Sequence, residues 1–254
     1  MPLPVGLDWI HILPAVQAFL QGENPYLVGV GFHKVYEPFW TFILLLPFAI
    51  WPFWVGRTLL FVVSLICFFV SAIKMGASPW QAILFLLSAA VAGCLANGNL
   101  DWLVTMGLWM PPWLGLFFVT MKPQVGIGIA ILWLCCAWQQ GGMGQILKTF
   151  APVTTAYLIS FMLYGFWPLQ CAGMHSNPDN MSAWPWVAPI GLYLLSRAIF
   201  DGDENLSIIS GPLLAPYTSQ FSYAAPLMAL FSKPRMFLLA WGLLWIPVFA
   251  RMLV

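Results

Sequence analysis

The stretch "NGNLDWLVTMGLWMPPWLGLFFVTMKPQVGIGIA", residues 97–130, decides how this chain is to be read. It is an apolar run split by Pro111-Pro112, opened by Asn97, Asn99 and Asp101, and followed past Lys122-Pro123 by a second apolar run. A lysine near a bilayer interior costs about 2.5–3.5 kcal/mol on insertion scales, so it needs a reason. One reason is snorkelling, with the charge carried to the boundary on its aliphatic stem. Another is an anion site, with Pro123 breaking the helix and Lys122 neutralising a phosphate at the membrane edge. Asn97, Asn99 and Asp101 are either a solvated loop or a break facing a polar cavity, where amides meet hydroxyls and the carboxylate meets a cation or a donor.

Working outward, the same character covers the whole chain. Of 254 residues 61% are hydrophobic and 7% are charged, against about 25% charged in soluble domains. Nine basic and eight acidic side chains cannot cover a water-facing surface, which makes this an all-α, polytopic integral membrane protein. The net charge of +1 implies no polyanionic partner, and no basic stripe suggests nucleic acid. Fifteen Trp and twenty Phe suit many lipid–water boundaries. Twenty-one Pro and twenty-one Gly suit broken or closely packed membrane helices.

Apolar runs at about 39–55, 58–73, 79–96, 102–121, 124–138, 149–167, 183–200, 207–216, 221–232 and 236–254 predict seven to ten membrane segments, several of half length. A straight crossing takes roughly 20 residues, and half-helices occur where backbone lines a polar cavity. The reading is one membrane domain, 1–254, with an external interfacial loop over 1–38 and membrane helices over 39–254. Placing Arg57, Lys148, Arg197, Lys233 and Arg235 inside gives five cations against four, and exchanging Arg57 for Lys74 gives the same tally. Both tallies put the 233–235 turn in the cytoplasm, and a re-entrant 39–55 segment reconciles them.

The first 38 residues lack the apolar core of a signal peptide. Ile10, Leu13, Ala15, Val16, Phe19 and Leu20 predict a short interfacial helix over Asp8–Leu20 that presents Asp8 at the membrane surface. Gly22 then caps it and Asn24-Pro25 turns the chain. Cys67, Cys94, Cys135, Cys136 and Cys171 show no ligand spacing and read as small buried hydrophobes. His175, Asn177, Asp179 and Asn180 make a connecting loop, and "DGDEN" at 201–205 is a helix-terminating acidic turn without the calcium-loop pattern. "QQGGMGQ" lacks the residues of a phosphate loop and reads as a flexible turn. No Ser-His-Asp order, HExxH or GxGxxG occurs.

The order of landmarks is informative: Asp8, "FLQGENPY" (19–26), "YEPFW" (36–40), "NGNLDWL" (97–103), "KPQ" (122–124) and "LAPYTSQFSY" (214–223). This order resembles the GT-C superfamily of polyprenyl-phosphate-dependent glycosyltransferases. The likeness is nearest to the mannosyltransferase-like glycosyltransferase family 87, and it runs from Asp8 to about Tyr223. The resemblance implies a sugar carried on a polyprenyl phosphate in the outer leaflet, transferred with inversion to an acceptor hydroxyl. It implies Asp8 as general base, Lys122 on the leaving phosphate and His33 and Lys34 as further phosphate contacts. Asn97, Asn99, Asp101 and Gln124 would then orient sugar or acceptor, with Tyr26 and Tyr36 shaping the loop or stacking on a ring. No metal or other cofactor is called for beyond the lipid-linked donor. The family's first helix before the early Asp and its later helices are missing here, its "YPP" is "YEP", and its "GQ" is "GN". The expectation is a prokaryotic inner-membrane hexosyltransferase, with a partner membrane subunit replacing the first helix. The alternatives are a non-catalytic accessory subunit of a larger membrane complex, or a transporter.

Overall fold

A computed structural model describes residues 6–29, 34–171, 176–177 and 179–252. Every regular element among them is helical. The order is α1 (Leu7–Leu20), α2 (Phe39–Ala49), α3 (Phe53–Lys74), α4 (Pro79–Leu86), α5 (Ala89–Asn97), α6 (Asp101–Gly107), α7 (Pro112–Val119) and α8 (Pro123–Tyr164). It continues with α9 (Ala188–Asp201), α10 (Glu204–Leu214), α11 (Ala224–Met228), α12 (Pro234–Leu243) and α13 (Ile246–Met252). The apolar runs read from the sequence fall on helices, 124–138 and 149–167 both on α8, but most of these helices are shorter than a crossing, so the structure offers fewer candidate spans than the seven to ten segments expected.

Two helices, α3 and α8, are long and apolar enough to cross a membrane, and α4 with α5, bent by 53°, make a third if the pair is one span. Helix α3 shows the inverted distribution that a bilayer imposes. Leu59, Phe61, Val62, Ile66, Phe69, Val70 and Ile73 are exposed, while Ser64 and Ser71 are buried. Each serine is satisfied inside: Ser64 donates to the Leu60 carbonyl at 2.6 Å, and Ser71 accepts from the Trp109 indole at 3.0 Å. In hydrocarbon a polar group must find an internal partner, whereas apolar side chains face outward at no cost.

Helix α8 is folded back on itself. Tyr157 donates to the carbonyl of Thr120 at 3.0 Å, although a straight helix of 1.5 Å per residue would hold these positions about 50 Å apart. The break is at Gly141 and Gly142, where the backbone leaves helical values (φ −166°, ψ 23° and φ 57°, ψ −145°). The turn falls in "QQGGMGQ", and the two arms are about 27 and 33 Å long at that rise, close to the hydrocarbon thickness of about 30 Å. Gly142 has a conformation open essentially to glycine alone. Gly142→Val is therefore expected to lower stability by about 1–3 kcal/mol, read as a fall in the thermal unfolding midpoint in detergent. An unchanged midpoint would show that the hairpin does not need that conformation.

The amino-terminal loop is pinned to this hairpin. Helix α1 ends as its sequence suggests, with Gly22 at φ 77° and the Asn24 side chain accepting from Tyr26 N at 3.0 Å. Tyr26 stacks on Trp167 at 5.0 Å and meets Phe42 and Tyr164 edge-on. Its hydroxyl donates to the Glu37 carbonyl at 2.8 Å. Trp40 closes the other side, donating to the Phe117 carbonyl at 2.9 Å. The acidic turn at 201–205 serves helix ends: Asp203 accepts from the backbone of Asn205 and Leu206, and Arg197 pairs with Asp201 one turn back. Cys67, Cys94, Cys135 and Cys136 are free thiols.

Candidate functional site

Short breaks in the helices aim polar side chains at one place. The amino terminus of α1 is held against the carboxyl terminus of α5, because Gly6 N and the Arg57 guanidinium both donate to the Ala96 carbonyl at 2.9 Å. Asp8, in the first turn of α1, therefore faces the end of α5. Gly98 ends α5 in the left-handed region at φ 73°, and any side chain there would press on Trp9. That sharp exit turns Asn99 back toward Asp8. Lys122 sits just before α8, with Pro123 at the first helical position.

These residues form one chain of contacts. Asn99 Nδ2 donates to Asp8 Oδ2 at 2.8 Å. Lys122 Nζ donates to Asn99 Oδ1 and to Asp101 Oδ2, the latter at 2.7 Å. An ammonium can only donate, so Lys122 forces the Asn99 oxygen toward itself. The amide NH₂ is thereby presented to Asp8. Asp8 Oδ2 is engaged by this donor, which leaves Oδ1 for another partner. Burial pushes the Asp8 carboxyl up, against the lowering effects of the Asn99 hydrogen bond and Lys122, and Asp101 adds to the rise. Burial likewise pushes the Glu37 carboxyl up.

Asp8 and Lys122 line the same cavity, of about 2020 Å³. Single ligand sites are typically about 300–1,000 Å³, so there is room for two molecules. Part of the lining is small and apolar: Ala89, Ala92, Gly93 and Ala96 of α5, with Met121 and Ile127. Loops bring the polar and aromatic part, with Ser182, Trp184, Tyr217, Ser219 and Gln220. A molecule with a hydrocarbon part and one rich in hydroxyls would each find a matching surface.

Of the other residues singled out in the sequence, Lys34, Tyr36, Asn97, Asn99 and Gln124 also line the cavity. Lys34 makes no hydrogen bond or ion pair with the described residues. His33 lies outside the described residues, as does His175. Two expectations are corrected. Asp101, expected to orient a sugar or acceptor, is 2% exposed and stands behind Lys122, its carboxylate spent on the ammonium. Tyr26, proposed either to shape the loop or to stack on a ring, is 1% exposed and does only the former, because both its faces and its hydroxyl are taken by protein. Asn99 is on the wall, but its amide is engaged at both ends by Asp8 and Lys122.

Sequence reasoning gave no role to Glu37, Tyr217 or Trp184. Glu37 was visible as the acidic residue of "YEP". Tyr217 stood inside the "LAPYTSQFSY" landmark, to which no residue role was attached. Trp184 had no signal separating it from an ordinary boundary tryptophan. Among the described residues no group of three or more His, Cys, Asp or Glu is arranged to hold a metal ion. In comparison with known proteins, no family model, no curated protein and no solved structure matches the chain.

Proposed function

We propose that this chain is an integral membrane glycosyltransferase of the GT-C kind, moving a sugar from a polyprenyl phosphate to an acceptor hydroxyl at the outer face of a prokaryotic inner membrane. The supporting observation is the convergence of Asp8 and Lys122 on one large cavity, through Asn99. In this reading the free oxygen of Asp8 accepts the proton of the attacking hydroxyl. The acceptor oxygen bonds to the anomeric carbon as the bond to the phosphate oxygen breaks, and the polyprenyl phosphate leaves with the electron pair. Lys122 has three N–H donors, two of them used by Asp101 and Asn99. The third, together with Lys34, meets the charge growing on the phosphate. The lipid chain lies toward the α5 side.

The test is transfer of radiolabelled sugar from polyprenyl-phosphate donors by the protein in proteoliposomes. No transfer from any donor of this class would end the reading. The pH profile has a definite sign. The base works ionised, and burial holds Asp8 above its ordinary value of 3.8. The rate should therefore fall as pH drops through a pKa higher than that. Stability has the opposite sign: a carboxyl held above its unfolded value stabilises most when protonated, so its contribution is lost as pH rises through the folded pKa. An acid limb centred at or below 3.8, or none at all, in initial rates measured from about pH 3 to about pH 8, would count against Asp8 as the base.

One observation favours a second reading. Lys122 and Asp101 form a nearly dry pair, with side chains 10% and 3% exposed, joining α6 to the start of α8. A satisfied ion pair of this sort also suits a non-catalytic membrane subunit kept for its packing surfaces.

A further inference from the structure

We infer that the loop wall of the cavity that Asp8 lines, built from residues 179–185 and 214–220, is a preformed subsite for a neutral saccharide, held on the Trp184 indole and by the Tyr217 hydroxyl. The inference rests on the transferase reading for its purpose, but its binding claim stands on the wall itself.

The wall is braced before any ligand arrives. Asn180 spans the two loops, donating to the Pro216 carbonyl at 3.0 Å and accepting from Thr218 N at 3.1 Å and Ser182 N at 2.9 Å. Met181 N donates to the Thr218 carbonyl at 2.7 Å, and Ser182 Oγ to the Ala215 carbonyl at 2.6 Å. Such crosslinks remove the ordering cost that a loose loop would pay on binding. What this frame presents is an aromatic face with polar neighbours. Trp184 is 49% exposed and lines the cavity, which sets it apart from Trp186, exposed at 85% and not on the cavity wall.

The Tyr217 hydroxyl makes no hydrogen bond with the described residues, and it lies within electrostatic range of Lys122, Asp179, Asp8 and Asp101. A phenol is protonated at neutral pH, so Tyr217 offers a donor to the cavity that Asp8 also lines. Trp245, whose indole N–H is buried without a partner among the described residues, lines the same cavity. A buried donor of that kind is uncommon in a finished structure. An apolar ring face beside scattered donors and acceptors matches a pyranose, which has C–H faces and an equatorial rim of hydroxyls. The wall's own ionisable groups are Asp179 and Tyr217, and with no cation on it a phosphate or a uronate is disfavoured.

Saturation-transfer NMR tests this with the full chain in phosphatidylcholine/phosphatidylglycerol nanodiscs, free of sugar-headed detergents. The probes are the methyl glycosides of glucose, galactose, mannose and N-acetylglucosamine at millimolar concentration. At least one should receive saturation on its ring protons. Trp184→Ala and the shape-preserving Tyr217→Phe should each reduce that signal at least fivefold. Trp186→Ala, off the cavity wall, should leave it within twofold, and because binding is read without turnover, transfer can fail while glycoside binding persists. No saturation of any glycoside, saturation reaching only lipid, or signals unmoved by Tyr217→Phe and Trp184→Ala would each overturn the inference.

Discussion

Asp8→Asn is expected to lower transfer from a polyprenyl-phosphate sugar by about a thousandfold, within the range that a positioned general base supplies. The substitution is chosen for its economy. Asn99 Nδ2 donates to Asp8 Oδ2 at 2.8 Å, and an asparagine oxygen at the same place still accepts that bond. The protein should keep its unfolding midpoint while losing the one atom able to take a proton. Asp8→Glu moves the carboxylate along by one methylene and should recover only part of the rate. Initial-rate assays on the purified variants in proteoliposomes read both. A folded Asp8→Asn protein with more than a tenth of the wild-type rate would remove Asp8 from the reaction.

The second large effect is on stability. Lys122→Met leaves the buried carboxylate of Asp101 without its counter-ion, and breaking a buried pair from one side costs about 3–5 kcal/mol. The midpoint of thermal unfolding should fall accordingly. The double variant Lys122→Met with Asp101→Asn removes both charges, and most of the loss should return, because the penalty belongs to the stranded charge rather than to the missing bond. That double variant also divides the two functional readings. If it folds and still transfers sugar at the wild-type rate, Lys122 is only a brace. If it folds and transfer is gone, the ammonium takes part in the chemistry or in holding Asn99 toward Asp8. A single Lys122→Met variant as stable as wild type would show that the pair is not formed.

How much of this was legible beforehand differs between elements. The short helix at Asp8–Leu20 and its Asn24-Pro25 turn could be read because their signals are local: apolar spacing, a glycine at the exit, an asparagine one residue before proline. The hairpin in α8 was half legible. The glycines marked a turn, but only the contact of Tyr157 with Thr120 shows that the chain doubles back there. Lys122 and Asp101 were both flagged as polar residues in apolar surroundings. That they satisfy each other, and that Asp101 therefore has nothing left for a ligand, depends on how α6 is rotated against the start of α8. Tyr26 illustrates the same limit. A tyrosine in a polar loop reads as a surface group, yet Trp167, far along the chain, covers its ring.

Composition alone was enough for the class of molecule: with 7% charged residues the chain reads as a membrane protein, and two or three of its helices are long and apolar enough to cross a bilayer. Composition and local spacing suffice for that, because transfer free energies add up residue by residue. Which polar groups meet is a matter of packing. Asp8 and Asn99 stand 91 positions apart, and nothing in either neighbourhood names the other. A polar side chain in an apolar segment announces that it needs a partner; helix rotation and close approach, set by the packing of the whole chain, choose which one it gets.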